Sequence, residues 1–245
     1  MSQQEGKVKG VADIVFLIDI SGSMQKCIDA LKANIGTFVN LLANPDPNGG
    51  NPVKDWRIKV AGYSDHLYDG NDWWVEFPFS NNLAQVTSNL ADLKLAGGED
   101  EPESLLDGLY KIAKLPSTEK GTPADPNSWR HRHEAARVVV FFTDASFHPT
   151  MSIPEAAGGA IDDVLNAVKA AKIIIRGFCP EHEGYFSLSE IPKCSLEFVS
   201  DTLGAEAANK LAAFTQDRAK FQKTLEALAK TVSKSSDDVA TVAIE

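Results

Sequence analysis

The sequence predicts a three-layer α/β fold, in which a mostly parallel, Rossmann-like central sheet lies between two layers of helices. Apolar, β-branched runs alternate along the chain with segments whose apolar residues recur at helical spacing, and this alternation indicates parallel strands joined by helices. The 245 residues, 43% of them hydrophobic, are enough for one large α/β domain. We expect a single domain over residues 1–245, with its core at about 11–232 and frayed ends.

The first half of the chain opens with a buried strand. Residues 11–18, VADIVFLI, form a near-continuous apolar run, which is typical of a strand covered on both faces. Pro78 marks a short strand at the sheet edge, which we expect to be antiparallel, and Trp73 and Trp74 would point to opposite faces of that strand. In order, the expected elements are a strand at 11–18, a helix at 24–42, strands at 56–65 and 73–80, and helices at 82–93 and 102–115.

The second half follows the same pattern after a polar, proline-containing loop at residues 116–133. Residues 136–144, ARVVVFFTD, form another apolar run that stops at an aspartate. Apolar residues also share one stripe of a long C-terminal helical segment. The expected elements are a strand at 136–144, a helix at 158–171, strands at 172–179 and 196–200, and a helix at 205–232.

The charge and the hydrophobic pattern of the chain argue against nucleic-acid and membrane partners. The formal net charge is −10 and the pI is about 5.0, whereas nonspecific nucleic-acid binding needs clustered Lys and Arg, so no nucleic-acid partner is expected. The first ten residues lack the apolar core of a signal peptide, and no window approaches the run of about 18 apolar residues that spans a bilayer. The three cysteines do not suggest a disulfide framework. We therefore expect a cytoplasmic protein with no membrane partner.

Polar side chains cluster where the two clearest strands end. Asp19, Ser21 and Ser23 follow the first apolar run, and Asp144 ends the run at 136–144. Ligands of open α/β sheets bind beyond the carboxyl ends of the strands, and the segment GGEDEPES at residues 97–104 could curl over the same edge. Carboxylate and hydroxyl oxygens without thiols suit a hard divalent cation such as Mg²⁺. Alternatively, Ser23 caps the following helix, although a cap explains neither Asp19 nor Asp144.

The motif DISGS, residues 19–23, resembles the D-x-S-x-S pattern of the metal-ion-dependent adhesion site in von Willebrand factor type A (vWA) domains. The resemblance extends over nearly the whole chain, from the strand IVFLID through FFTDAS to the late helices, and GGED and FTD at the expected later points strengthen it. The phrases AGYSDH, GGEDEPES and VVVFFTDASFH are similar to those of a branch found in bacterial and hemicentin-like proteins.

The resemblance implies a role for each polar residue at this edge. Ser21 and Ser23 would bind Mg²⁺ directly, with Mn²⁺ or Ca²⁺ as possible substitutes, while Asp19 would act through water or the coordinated hydroxyls and Asp144 would hold a metal-bound water. Many members place a threonine after the two middle-loop glycines, but this chain has Glu99 and Asp100 there. We assign the middle-loop role to Asp100, with Glu99 as the rival. Glu99, Glu101 and Glu103 are expected to add negative charge to the rim.

These features favour a protein-interaction module that binds an Asp or Glu of a partner protein through the metal, and not an enzyme. No phosphate-cradling loop and no nucleophile elbow occur in the sequence. One alternative is a Mg²⁺-dependent phosphoester hydrolase, for which His66 or His148 would have to act as the general base. A second alternative is a scaffold whose metal is purely structural.

Overall fold

The sheet has six strands, and its architecture confirms the predicted fold class. The computed structural model describes residues 10–44, 53–96 and 101–217, together with residues 219, 220, 223, 226, 227, 230 and 232. The strands are β1 (Val11–Asp19), β2 (Asp55–Tyr63), β3 (Trp74–Glu76), β4 (Ala136–Phe142), β5 (Ile173–Pro180) and β6 (Cys194–Ser200). Their order in the sheet is β3-β2-β1-β4-β5-β6; β3 at one edge is antiparallel to β2, and every other neighbouring pair is parallel.

Helices cover both faces of this sheet. They are α1 (Gln25–Ala43), α2 (His66–Asp69), α3 (Leu83–Ala91), α4 (Leu105–Ala113), α5 (Ile161–Ala171), α6 (Glu183–Ser189) and α7 (Gly204–Gln216). Apolar side chains of α1, α3 and α7 pack in one buried cluster, and those of α4, α5 and α6 pack in the other. None of the described helices combines the length and the hydropathy needed to cross a lipid bilayer.

Strand β1 lies at the centre of the sheet, and both of its faces are buried. Ile14, Phe16 and Ile18 join the cluster on the α1 side, while Val15 and Leu17 join the cluster on the α4 side. Because successive side chains of a strand point to opposite faces, a central strand needs apolar residues at nearly every position. The apolar run that predicted this strand is therefore a consequence of its central place.

Asp13 interrupts that run, and it is fully buried at the amino end of β1. Its carboxylate accepts hydrogen bonds from Arg57 Nε and Nη2 (2.9 and 2.7 Å) and from Arg130 Nε and the Arg130 backbone N–H (both 2.7 Å). Both guanidinium groups are also nearly buried and donate further bonds to backbone carbonyls, such as that of Ala12. One carboxylate therefore joins β1 to β2 and to the loop that precedes β4.

Two short helices were not predicted. Helix α2 has four residues and α6 has seven, and neither is long enough to show a helical repeat in the sequence. Each begins with a side chain that accepts a hydrogen bond from the backbone: Asp65 Oδ1 from the Leu67 N–H, and His182 Nδ1 from the Gly184 N–H. Such caps satisfy backbone donors that the helix itself leaves without partners.

The arrangement expected for the two tryptophans was wrong. Trp73 ends a 3-10 turn and is buried, and only Trp74 belongs to β3. Their ring centroids lie 5.3 Å apart, so the two rings contact each other and do not project from opposite faces of one strand.

The C-terminal helix expected at 205–232 is interrupted. Helix α7 ends at Gln216, and Asp217 takes an extended backbone conformation. The Asp217 side chain then accepts hydrogen bonds from the backbone N–H groups of Ala219 and Lys220, where helical structure resumes. An aspartate that caps a new helix explains the break. Of the expected apolar stripe, Phe214 packs against the core and Val232 is buried, whereas Phe221, Leu225 and Leu228 lie outside the described residues.

Candidate functional site

Asp19 is the last residue of β1 and is fully buried at the carboxyl edge of the sheet. Its Oδ1 accepts a hydrogen bond from the Ser21 N–H (2.8 Å), and its Oδ2 accepts one from the Thr143 hydroxyl (2.7 Å). The carboxylate therefore connects the loop after β1 to the end of β4. Thr143 was not among the predicted site residues, and its role here is to hold Asp19 in place.

The two serines of the DISGS motif lie side by side. Ser21 is buried, Ser23 is exposed, and their Oγ atoms are 3.2 Å apart. Helix α1 begins only after Met24, and no side chain caps it, so the alternative role of Ser23 as a helix cap is wrong. The two hydroxyls are therefore free of a capping role and point to a common location beside Asp19.

Asp144 follows β4 and, among the described residues of this edge, carries the carboxylate with the fewest hydrogen-bond partners. Its side chain is almost fully buried, yet neither Oδ1 nor Oδ2 has a hydrogen-bond partner. Burial raises the pKa of this carboxyl, and the nearby Ser23 hydroxyl opposes the rise without reaching full hydrogen-bond geometry. A buried polar atom without a partner is costly, so two of them on one carboxylate mark a position where a ligand would bind.

Glu103 is a site residue that the sequence analysis placed wrongly. It was expected on the exposed rim, but only 2% of its surface is accessible, and its Oε2 has no partner. Its backbone N–H donates to the Ser146 carbonyl (3.0 Å), and its carbonyl accepts from the His148 N–H (3.1 Å). This bridge between the middle loop and the loop after β4 turns the side chain inward, while the neighbouring Glu101 stays exposed.

Acidic side chains are concentrated at this edge. The pKa of Asp19 is raised to about 7, first by burial and then by the charge of Asp144. The pKa of Glu103 is raised to about 9 by burial, and then by the charges of Asp19 and other acidic neighbours. Ionised carboxylates that are buried and close together destabilise one another, and a divalent cation would offset both effects.

The donor set fits a hard cation only if hydroxyl oxygens take part. Among the residues that the structure describes, no three His, Cys, Asp or Glu side chains are close enough to hold a metal ion by themselves. A cation at this edge would therefore need oxygen ligands other than carboxylates, and the Ser21 and Ser23 hydroxyls are of the type that Mg²⁺ accepts. Glu99 and Asp100 lie outside the described residues, so the choice between them as middle-loop ligand stays a prediction.

Of the two histidines considered as general bases, His66 is the first residue of α2 and His148 pairs with Asp65, which caps that helix. His148 Nε2 is 3.0 Å from Asp65 Oδ1, and His66 Nδ1 is 2.8 Å from Ser152 Oγ. Asp65 also accepts from the Ser104 hydroxyl and caps α2, so its pairing with His148 helps to hold three loops together. These contacts give both histidines a structural role at this edge.

The mostly parallel sheet, with polar side chains of several loops gathered at its carboxyl edge, defines a Rossmann-like domain. The family model "von Willebrand factor type A domain" matches residues 13–199, and the chain belongs to this family. Domains of this family generally act as protein-interaction modules. No curated protein sequence is significantly similar to the chain.

Solved structures agree with this fold. One structure of proximal thread matrix protein 1 from the mussel byssus aligns over 91% of this chain and 47% of its own length, with 16% identity and a TM-score of 0.55. A second crystal form of that protein aligns over 91% of this chain and 46% of its own length, with 14% identity and a TM-score of 0.54. The chain thus spans about half the length of those proteins. The SpRpn10 VWA domain aligns over 82% of the chain and 95% of its own, with 14% identity and a TM-score of 0.47.

The raised pKa values predict how stability depends on pH without metal. A carboxyl whose folded-state pKa exceeds its ordinary value stabilises the fold while protonated, and that contribution is lost as pH rises above the ordinary value. For Asp19 and Glu103 the loss begins near pH 4 and ends near pH 7 and pH 9, respectively. In chelator, we expect the urea concentration at the unfolding midpoint to decrease as the pH is raised from 5 to 8. At pH 8, added Mg²⁺ is expected to raise that midpoint again. A midpoint that is flat or rises with pH in chelator would contradict this expectation.

Proposed function

We propose that this chain is a metal-dependent protein-interaction module, which holds Mg²⁺ at the DISGS edge and offers it to an Asp or Glu of a partner protein. The observation that carries the proposal is the pair of unpartnered, buried carboxylate oxygens of Asp144 next to the Ser21 and Ser23 hydroxyls. Family membership supports the interaction role. The metal, its position and the chemistry of the partner are the proposed part.

The described residues at this edge would have different roles in holding the metal. Ser21 and Ser23 would supply neutral ligands, and Asp19 would orient Ser21 through its bond to the Ser21 N–H. Asp144 would supply buried negative charge, Glu103 would ionise only where the cation lowers its raised pKa, and Asp100 stays our prediction for the middle loop. Because Ser23 is exposed, the ion would be reachable from solvent on that side, where a partner carboxylate could bind it.

Loss of the two hydroxyls is expected to weaken Mg²⁺ binding by at least tenfold, because a cation that prefers oxygen ligands would lose two of them. The change is Ser21→Ala with Ser23→Ala, and the measurement is isothermal titration calorimetry with Mg²⁺. The fold is expected to survive, because the two side chains lie at the sheet edge and form no helix cap.

The matched control is Ser187→Ala with Ser195→Ala, which removes two hydroxyls from exposed positions on α6 and β6. Equal Mg²⁺ affinity in the wild type and in the Ser21/Ser23 variant, with both proteins folded, would show that the metal assignment is wrong.

The hydrolase alternative has no comparable support. His66 and His148 each bond to a neighbouring side chain, and neither is in contact with the Ser21 and Ser23 hydroxyls in the hydrogen bonds of the described residues. An experiment can distinguish a purely structural metal from one that binds a partner. A purely structural metal would stabilise the fold without changing the affinity of the protein for any acidic peptide.

A further inference from the structure

Helix α2 presents two large apolar side chains to solvent next to the candidate metal site. Leu67 is 65% exposed and Tyr68 is 58% exposed, and these are the largest exposed fractions among large hydrophobic residues in the described part of the chain. The helix follows β2 directly, so it lies at the carboxyl edge of the sheet, where Asp19 and Asp144 lie.

This exposed pair is held rigidly. The Asp65 side chain accepts from the Leu67 N–H, the Asp65 carbonyl accepts from the Asp69 N–H (2.8 Å), and the Ser64 hydroxyl donates to the Asp69 carboxylate. Four residues alone would not form a stable helix in water, so these bonds and the neighbouring loops fix its position. The fixed backbone limits how far Leu67 and Tyr68 can withdraw from solvent.

The position of α2 is also fixed relative to the site. The His66 N–H donates to the Ser104 hydroxyl (3.0 Å), and Ser104 is the residue after Glu103. On the other side, Asp65 pairs with His148, whose backbone N–H donates to the Glu103 carbonyl. The charges of Asp65 and Asp69 both contribute to the raised pKa of Glu103, which shows how near the helix is to that carboxylate.

From this arrangement we propose that Leu67 and Tyr68 form the apolar half of the partner-binding surface, and that the partner segment carries a large apolar side chain next to the carboxylate that reaches the metal. The inference rests on the proposed function for its metal-bound half. Tyrosine is one of the residue types that dominate binding at protein interfaces, and the adjoining Leu67 adds apolar area that a partner could cover. The rest of the segment would be neutral or basic, because Asp72 and Glu101 expose further negative charge near this edge.

Other occupants of the surface fit less well. An anionic membrane or a nucleic acid would be repelled by a chain of net charge −10. A second copy of the chain carries the same net charge, so electrostatic repulsion would oppose the association of two copies through α2. A protein segment with one acidic residue for the metal, an apolar neighbour for Leu67 and Tyr68, and no further acidic residue fits both the apolar pair and the negative rim.

The test is selection from a displayed library of random short peptides in Mg²⁺, with wild-type protein, Leu67→Ser/Tyr68→Ser and Ser21→Ala/Ser23→Ala as baits. Phe186→Ser/Phe198→Ser is the matched control, because it removes two other exposed apolar side chains that contact each other on α6 and β6. Peptides selected by wild type are expected to pair an Asp or Glu with a large apolar residue. The Leu67/Tyr68 variant is expected to bind those peptides at least tenfold more weakly while its Mg²⁺ affinity stays unchanged, and the control is expected to bind them normally.

The outcomes separate this inference from the proposed function. Acidic peptides without an apolar preference, or unchanged peptide affinity in the Leu67/Tyr68 variant, would overturn the inference and leave the metal-dependent function standing. Peptides that bind equally well in chelator and to the Ser21/Ser23 variant would overturn both. Failure of wild type to enrich any peptide counts against the inference, as would a concentration-dependent dimer in sedimentation that Leu67→Ser/Tyr68→Ser abolishes.

Discussion

Replacement of Asp13 with alanine is expected to lower the free energy of unfolding by about 3–5 kcal/mol, because it leaves the buried guanidinium groups of Arg57 and Arg130 without their shared carboxylate. Natural domains unfold with only about 5–15 kcal/mol, so the variant is expected to lose a large part of its stability. Urea unfolding followed by circular dichroism measures the change. Asp13→Asn, which keeps the shape but removes the charge, is expected to be destabilised for the same reason.

Asp29→Ala is the matched control for this change. Asp29 pairs with Lys32 at 2.8 Å, but the Asp29 side chain is 55% exposed. Exposed pairs of this kind contribute less than about 1 kcal/mol. If Asp13→Ala lost no more stability than Asp29→Ala, the two arginines would be satisfied without Asp13, and the account of this buried cluster would be wrong.

The Asp144→Asn protein is expected to bind Mg²⁺ about 100-fold more weakly and, in chelator at pH 8, to be more stable than wild type. The first effect follows from loss of a buried negative charge near the ion. A 100-fold change corresponds to about 2.7 kcal/mol, which is less than the roughly 4 kcal/mol of opposite charges 4 Å apart at a surface-like dielectric because Asp144 would act through a metal-bound water. The second follows because the wild-type carboxylate is buried without hydrogen-bond partners, a cost of about 1 kcal/mol or more that the amide avoids in part.

Calorimetry with Mg²⁺ and urea unfolding in chelator test the two effects separately. Asp92→Asn removes one carboxylate from an exposed position at the end of α3 and is expected to change neither quantity. Reduced stability of Asp144→Asn in chelator would indicate that the carboxylate has a structural partner, and unchanged Mg²⁺ affinity would remove Asp144 from the site.

The layers and the central strands could be predicted from the sequence because a central position in the sheet imposes a pattern on consecutive residues. A strand covered by helices on both faces requires apolar residues in succession, and β1 and β4 both have them. The convergence of Asp19 and Asp144 at one edge also followed, since parallel strands end on the same side. Their similarity to the metal-ion-dependent adhesion site, and to the bacterial and hemicentin-like branch, stays a prediction.

The partners of Asp13, the burial of Glu103 and the presence of α2 could not be predicted, because no pattern in the neighbouring residues indicates them. The partners of Asp13 are 44 and 117 residues away along the chain, so nothing near Asp13 indicates whether its charge is paired. Glu103, unlike the exposed Glu101, forms a backbone bridge to Ser146 and His148, and that bridge depends on how two distant loops meet. Helix α2 depends on one capping aspartate and on contacts with Ser104, and four residues carry no periodic pattern.

Asp13 and Asp19 lie on the same face of β1 and are separated by six residues, or about 20 Å of extended strand. The carboxylate at the amino end is saturated with arginine contacts, whereas the carboxyl end gathers Asp144 and Glu103 with oxygens that lack partners. At such a distance the effects of substitutions are expected to add independently. A descendant of this chain could therefore exchange its loops, and with them its ligand, while the arginine-bound end preserves the scaffold. Such separation would favour the evolution of new binding specificities on the same sheet.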